Sequence, residues 1–219
     1  MEPIHVHIPY PKLKEYLDML RKRRYDLEIY LSAAVLDQIE KQDLEKLLEL
    51  LDWQPKLTLH APFMDMNPGA MDPMVRSVTQ VRFRQLLNVA AILKPRVAVE
   101  NVFDEDPEAL QMLIEKIDSP DFGFCFDTGH FNLFSTVAME KWFESLGRRL
   151  LEVHLHDNDG KADSHWALGR GNVDFEKFFG MMNTTGSAPV FTIEAHDKDD
   201  IETSLERVRH LMKKDRETL

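Results

Sequence analysis

Nine histidines are the residues best placed to do chemistry in this chain of 219 residues. His5, His7, His60, His130, His154, His156, His165 and His196 fall in or just after short β-like runs, or in the loops that follow them, and only His210 lies in an evident helix. Glu100, Asp127, Asp157, Asp163 and Glu194 share this distribution. Neutral imidazole mixed with carboxylate is the ligand set that suits zinc, manganese, iron or cobalt. A lone strand-end histidine is more often a hydrogen-bonded core or rim residue than a ligand. The weight therefore rests on the constellation, because burying several carboxylates together is costly unless a cation compensates. His60, Glu100, Asp127, His154 and Glu194, at the ends of successive strands, are the candidate metal ligands.

The elements that must position these residues alternate along the chain. Strands are expected at Ile4–Ile8, Leu27–Leu31, Lys56–His60, Arg96–Glu100, Phe122–Asp127, Leu151–His156 and Val190–Glu194. Helices are expected at Lys12–Arg23, Leu36–Leu51, Met74–Leu93, Pro107–Ile117, Ala138–Leu146, Phe175–Met182 and Ile201–Lys213. Such alternation implies a parallel sheet with right-handed crossovers. A doubly wound open sheet concentrates its ligand groups at one switch point. Here polar residues end nearly every strand, which favours a TIM-type (β/α) barrel in which strands converge on one mouth. No linker-like stretch interrupts the pattern, so a single domain over residues 1–219 is expected.

Composition bounds the function. A net charge of −11 argues against a broad surface for nucleic acid, whose binding rests on phosphate neutralisation. No apolar run approaches the ~20 residues that span a bilayer. The N-terminus lacks the basic and apolar regions of a signal peptide, and one cysteine excludes an internal disulfide framework. A cytoplasmic location is expected. Cys125 reads as buried core, His156 as a rim residue, Arg170 as solvated, and Gly169 and Gly171 as serving a tight loop. For His5 and His7, which share a strand face, packing and substrate contact carry equal weight. Met64, Met66, Met71 and Met74 form an apolar cluster after His60.

Five segments carry a family resemblance: LTLHAPF with His60, VAVEN with Glu100, FCFDTGH with Asp127 and His130, LEVHLHDNDGKADSHWALGRGNVDF with His154, Asp163 and His165, and FTIEAH with Glu194. Together they resemble the xylose isomerase-like barrel superfamily of sugar and sugar-phosphate isomerases and epimerases, which also contains endonuclease IV. The resemblance implies that Glu100, Asp127, His154 and Glu194 hold a divalent metal, zinc or manganese first, with cobalt, iron or magnesium as alternatives. It implies that Glu100 and Glu194 are catalytic, one removing and the other returning a proton α to a carbonyl. His60, His130, Asp163 and His165 match further zinc ligands of endonuclease IV. The implied activity is isomerisation or epimerisation of a small sugar or sugar phosphate. A zinc phosphodiesterase and a non-catalytic metal-binding barrel stay open beside it.

One feature departs from the family pattern. Between His60 and Glu100 a single helix replaces the expected helix, strand and helix, and no histidine lies between His60 and His130. The barrel is thus one strand-helix unit short of eight, missing one histidine that a binuclear zinc site would use. A seven-strand barrel must close with altered shear and tilt or leave an unpaired edge, and an open edge invites a homodimer or strand exchange.

Overall fold

In the computed structural model, residues 4–62, 66–67, 70–93 and 97–217 are described. They fall into two compact units, His5–Pro95 and Arg96–Leu219 with Met1–Ile4.

In the unit His5–Pro95, strand β1 (Ile4–Pro9) leads through helix α1 (Leu13–Arg23) to β2 (Asp26–Tyr30). Helices α2 (Ala33–Leu36) and α3 (Lys41–Leu50) then lead to β3 (Leu57–His60), and α4 (Pro73–Leu93) follows. β2 pairs in parallel with both β1 and β3. Inward residues of β1 and β2, including Val6, Ile8, Leu27 and Ile29, are buried with Leu20, Leu44 and Leu47 from the helices. Trp53 seals the end of this core and donates its indole N–H to the Tyr25 carbonyl at 2.9 Å.

The unit Arg96–Leu219 runs β4 (Val97–Glu100), α5 (Glu108–Ile117), β5 (Phe122–Asp127), α6 (Thr128–Phe134), α7 (Met139–Leu146), β6 (Leu150–Leu155), α8 (Phe175–Thr185), β7 (Val190–Ile193) and α9 (Lys198–Glu217). Strands β4 to β7 pair in parallel in chain order. Its core is aromatic. Phe126 is fully buried, stacks on Phe178 at 5.8 Å and meets Phe143 and Phe131 at 5.4 Å. Trp142 lies flat on Phe124 at 5.9 Å.

Consecutive strands pair in sequence order within each unit, without the reversal of a doubly wound sheet. The fold is of the (β/α)-barrel type with seven strands among the described residues, one strand-helix unit short of eight. Among the described residues only α4 stands between β3 and β4.

Two expectations are corrected. The helix expected over Leu36–Leu51 is two helices, because Glu40 takes extended backbone (φ −106°, ψ 165°) and starts α3 with a capping box to Asp43. α6, absent from the expected set, begins immediately after β5 because Asp127 caps it, its carboxylate accepting from the His130 N–H at 2.7 Å. Met64 of the methionine cluster and Arg96, the expected first residue of β4, lie outside the described residues. Met71 and Met74 are strongly exposed.

Candidate metal centre

Strand register brings the polar residues of the unit Arg96–Leu219 into one group. Glu100 pairs with Cys125, and Asp127 with His154. Glu194 follows the last residue of β7 and is held by its N–H donating to the Leu155 carbonyl at 3.1 Å. The candidates are thus aligned at the C-terminal ends of four neighbouring strands, where barrels of this class place their chemistry.

At the centre is His154, buried, with Nδ1 3.6 Å from Glu100 Oε1, 3.7 Å from Asp127 Oδ2 and 3.5 Å from Glu194 Oε1. Ligands at 2.0–2.2 Å around a four-coordinate ion stand roughly 3.4 Å from one another. One imidazole and three carboxylates with this spacing form a donor set that fits a divalent cation, and such a cation would offset the clustering of three shielded acidic groups.

A second group adjoins the first. His130 Nδ1 lies 2.9 Å from Glu100 Oε1 and 3.5 Å from Asp127 Oδ1, and its Nε2 lies 3.4 Å from Asp163 Oδ2. His165 Nε2 lies 3.2 Å from the same Asp163 oxygen, while its Nδ1 donates to the Glu194 carbonyl at 2.9 Å. Burial opposes charge on His130, but the Asp127 charge and contacts with Asp163 and Glu100 overcome it and push its pKa up to about 11. Burial would raise Asp163, yet contacts from His130 and His165 hold it well below the usual carboxylate range. His165 is raised in the same way, burial being outweighed by Asp163 and Glu194.

His60 ends β3 in the unit His5–Pro95. Its Nδ1 lies 2.8 Å from the Ala61 carbonyl and its ring meets His7 at 5.4 Å and Tyr30 at 5.5 Å. His7 contacts the buried Glu28 carboxylate at 2.6 Å, and His5 contacts Thr58 at 3.1 Å.

His156 is corrected from rim residue to buried partner. Residues two apart in a strand share a face, and the His156 ring, fully buried, reaches both Asp127 oxygens with Nε2 at 3.0 and 3.1 Å. It stacks on His165 at 3.9 Å, and His165 stacks on His196 at 4.3 Å. Gly129 makes room for it: a Cβ there would lie 2.0 Å from His156 Cε1.

Three further residues organise the group in roles that the sequence did not indicate. Asn101 brackets Asp127, accepting from its N–H at 2.8 Å and donating to its carbonyl at 3.0 Å. The Thr128 hydroxyl bridges the carbonyls of His154 and His156 at 3.1 and 2.9 Å. Asp157 accepts from the N–H groups of Gly169, Gly171 and Val173 at 2.8, 2.9 and 3.1 Å. It thereby folds the loop that carries Asp163 and His165. A Cβ on Gly171 would lie 2.1 Å from the Asn158 carbonyl oxygen, which bears out the tight-loop role. Arg170 is exposed, covers the Trp166 ring at 5.3 Å and pairs with Asp200 at 3.6 Å. Cys125 is buried, and burial pushes its thiol well up.

The chain belongs to the xylose isomerase-like TIM barrel family, whose profile matches residues 79–214. It is similar to an uncharacterized protein of Methanocaldococcus jannaschii, 26% identical over 224 residues that cover 80% of this chain and 76% of the relative. That aligned stretch exceeds the whole 219-residue chain while using only 80% of it, so the relative holds residues without counterpart here. Among solved structures, a Thermus thermophilus protein soaked with zinc chloride superposes with a TM-score of 0.82 at 24% identity, covering 98% of this chain and 99% of that one. A D-tagatose 3-epimerase-like protein gives 0.83 at 23% identity, covering 100% of this chain and 99% of that one. The IolI protein with a bound zinc atom gives 0.71 at 14% identity, covering 98% and 99%. These likenesses establish the fold. No helix among the described residues is long and apolar enough to cross a membrane.

Proposed function

We propose that the protein is a divalent-metal-dependent isomerase or epimerase of a small sugar or sugar phosphate. The observation that carries this reading is the position of His154 Nδ1, 3.5–3.7 Å from one oxygen each of Glu100, Asp127 and Glu194. These four residues would hold the metal. When bound, the cation supplies polarisation of the substrate's carbonyl and hydroxyl oxygens. Glu194 and Glu100 do the proton work: one carboxylate takes the proton α to the carbonyl and the other delivers it to the adjacent carbon or the opposite face. Both are largely shielded from water, with side-chain exposures of 5% and 14%. Asn101 and His156 hold Asp127 in place on its main-chain and side-chain atoms respectively. The family membership and the epimerase-like neighbour support this class of reaction.

The test is exchange of the substrate C–H for deuterium, followed by NMR across ketoses and ketose phosphates with zinc, manganese or cobalt supplied. Glu194→Gln should abolish exchange while leaving the circular dichroism spectrum unchanged. Exchange by this variant at the native rate would remove Glu194 from the chemistry, and no exchange by the native protein with any of the metals would defeat the isomerase reading.

One observation favours a second reading. His130, Asp163 and His165 adjoin the central four, and by resemblance they match zinc ligands of endonuclease IV. Two or three zinc ions per chain together with phosphodiester cleavage would favour it.

A further inference from the structure

We propose that α4 and α5 form a self-association surface, on which the basic apolar face of α4 in one copy of this chain packs against the acidic apolar face of α5 in a second copy. On α4, Met74, Val78, Val81 and Ile92 are 77%, 54%, 47% and 44% exposed. With Asn88 between them they lie along one side of the helix, interrupted at Gln85, whose amide donates to the Leu36 carbonyl and Asp37. Phe83 and Leu87 are exposed on the other flank, and Arg84 projects between the two, as 100° per residue requires. Exposed apolar faces of this extent mark contact surfaces on soluble proteins.

Charge selects the occupant. α4 contains Arg76, Arg82 and Arg84 and no acidic residue, in a chain whose net charge is −11. Asp37 pairs with Arg82, while Arg76 donates to the carbonyls of Ala70 and Met71 and keeps its charge. Two α4 faces would therefore repel one another. α5 has the complementary character: Met112, Leu113 and Ile117 are 70%, 40% and 45% exposed, Glu108 and Glu115 flank Met112, and Asp104, Glu105 and Asp106 lie just before the helix, against one basic residue, Lys116, in its last turn. Two α5 faces would repel in turn. An α4 face against an α5 face buries both apolar strips and sets Arg84 among carboxylates, the arrangement that lets flanking charges choose a partner around an apolar seam. The same chain supplies both halves.

Sedimentation velocity on the full chain should show concentration-dependent association in the micromolar range. Val81→Glu, which places a charge in the seam, should leave monomer. Arg84→Glu and Glu115→Arg should each weaken association by roughly tenfold, and the double variant should recover most of the loss. All three changes are on exposed positions, and circular dichroism checks that each variant is folded. A monomer at high concentration would overturn the proposal, as would association unmoved by Val81→Glu or losses that simply add in the charge-swapped pair.

Discussion

His130 shows how the site's charges bear on metal uptake. Its pKa is raised to about 11 from an ordinary value of 6.5, so in the metal-free protein the imidazole is protonated at neutral pH. Its contribution to stability is fully present below about 6.5 and is lost as pH rises through about 11. A cation entering among Glu100, Asp127 and His154 repels that proton whether or not His130 itself binds. Zinc binding at pH 8 should therefore release about one proton from this residue, and apparent affinity should rise with pH across the window. Calorimetric titration in buffers of different ionisation enthalpy measures the release; heats independent of buffer would show that His130 is neutral before metal binds. At this scale the candidate ligands were legible in the sequence, because a polar residue ending an apolar strand is conspicuous. The roles of His156, Asn101 and Asp157 were not. Each acts through hydrogen bonds to groups about 12 to 29 residues away, and neither spacing nor composition encodes such a partner.

At the scale of elements, strands were the more legible part. β5 was expected with the bounds it has, and the other strands lie within a residue of expectation, because short apolar runs flanked by turn residues leave little freedom. Helices with local causes were harder to read. α6 has the sequence TGHFNLF, a poor helix former with glycine near its start, and forms because Asp127 caps it. The break before α3 was hidden by apolar periodicity continuing through it. In the loop after β6, Asp157 accepts from three N–H groups, beside the Leu168 N–H donated to Ser204 and the Asn132 amide donated to Asn172. Asp157→Ala leaves three N–H groups without that partner, at roughly 1–3 kcal/mol for each that finds no substitute. Trypsin should then cut at Lys161 or Arg170 several-fold faster while the aromatic core melts later than the loop opens. Unchanged cleavage would mean the loop is held by other contacts.

For the whole molecule, the missing unit was legible as a shortfall of pattern: one long helix where two helices and a strand were expected. The seven strands among the described residues agree with that count. The acidic cluster predicts that metal and stability are linked. A ligand at one hundred times its dissociation constant adds about 2.7 kcal/mol, and for a chain of this length that is roughly 5–10 °C in thermal midpoint. Removing metal with a chelator should lower the midpoint by this amount and resupply should restore it; a midpoint indifferent to both would place no metal in the folded protein.

The grip of Asp157 on its loop is a grip on main-chain N–H groups. Loop shape is therefore largely uncoupled from the identity of the outward side chains, of which Trp166 and Arg170 are two. Such a loop can be rewritten at those positions while its glycines and the Asp163–His165 pair stay in register. That makes it a cassette on a fixed frame, whose outward positions can be exchanged by grafting while its fold is kept.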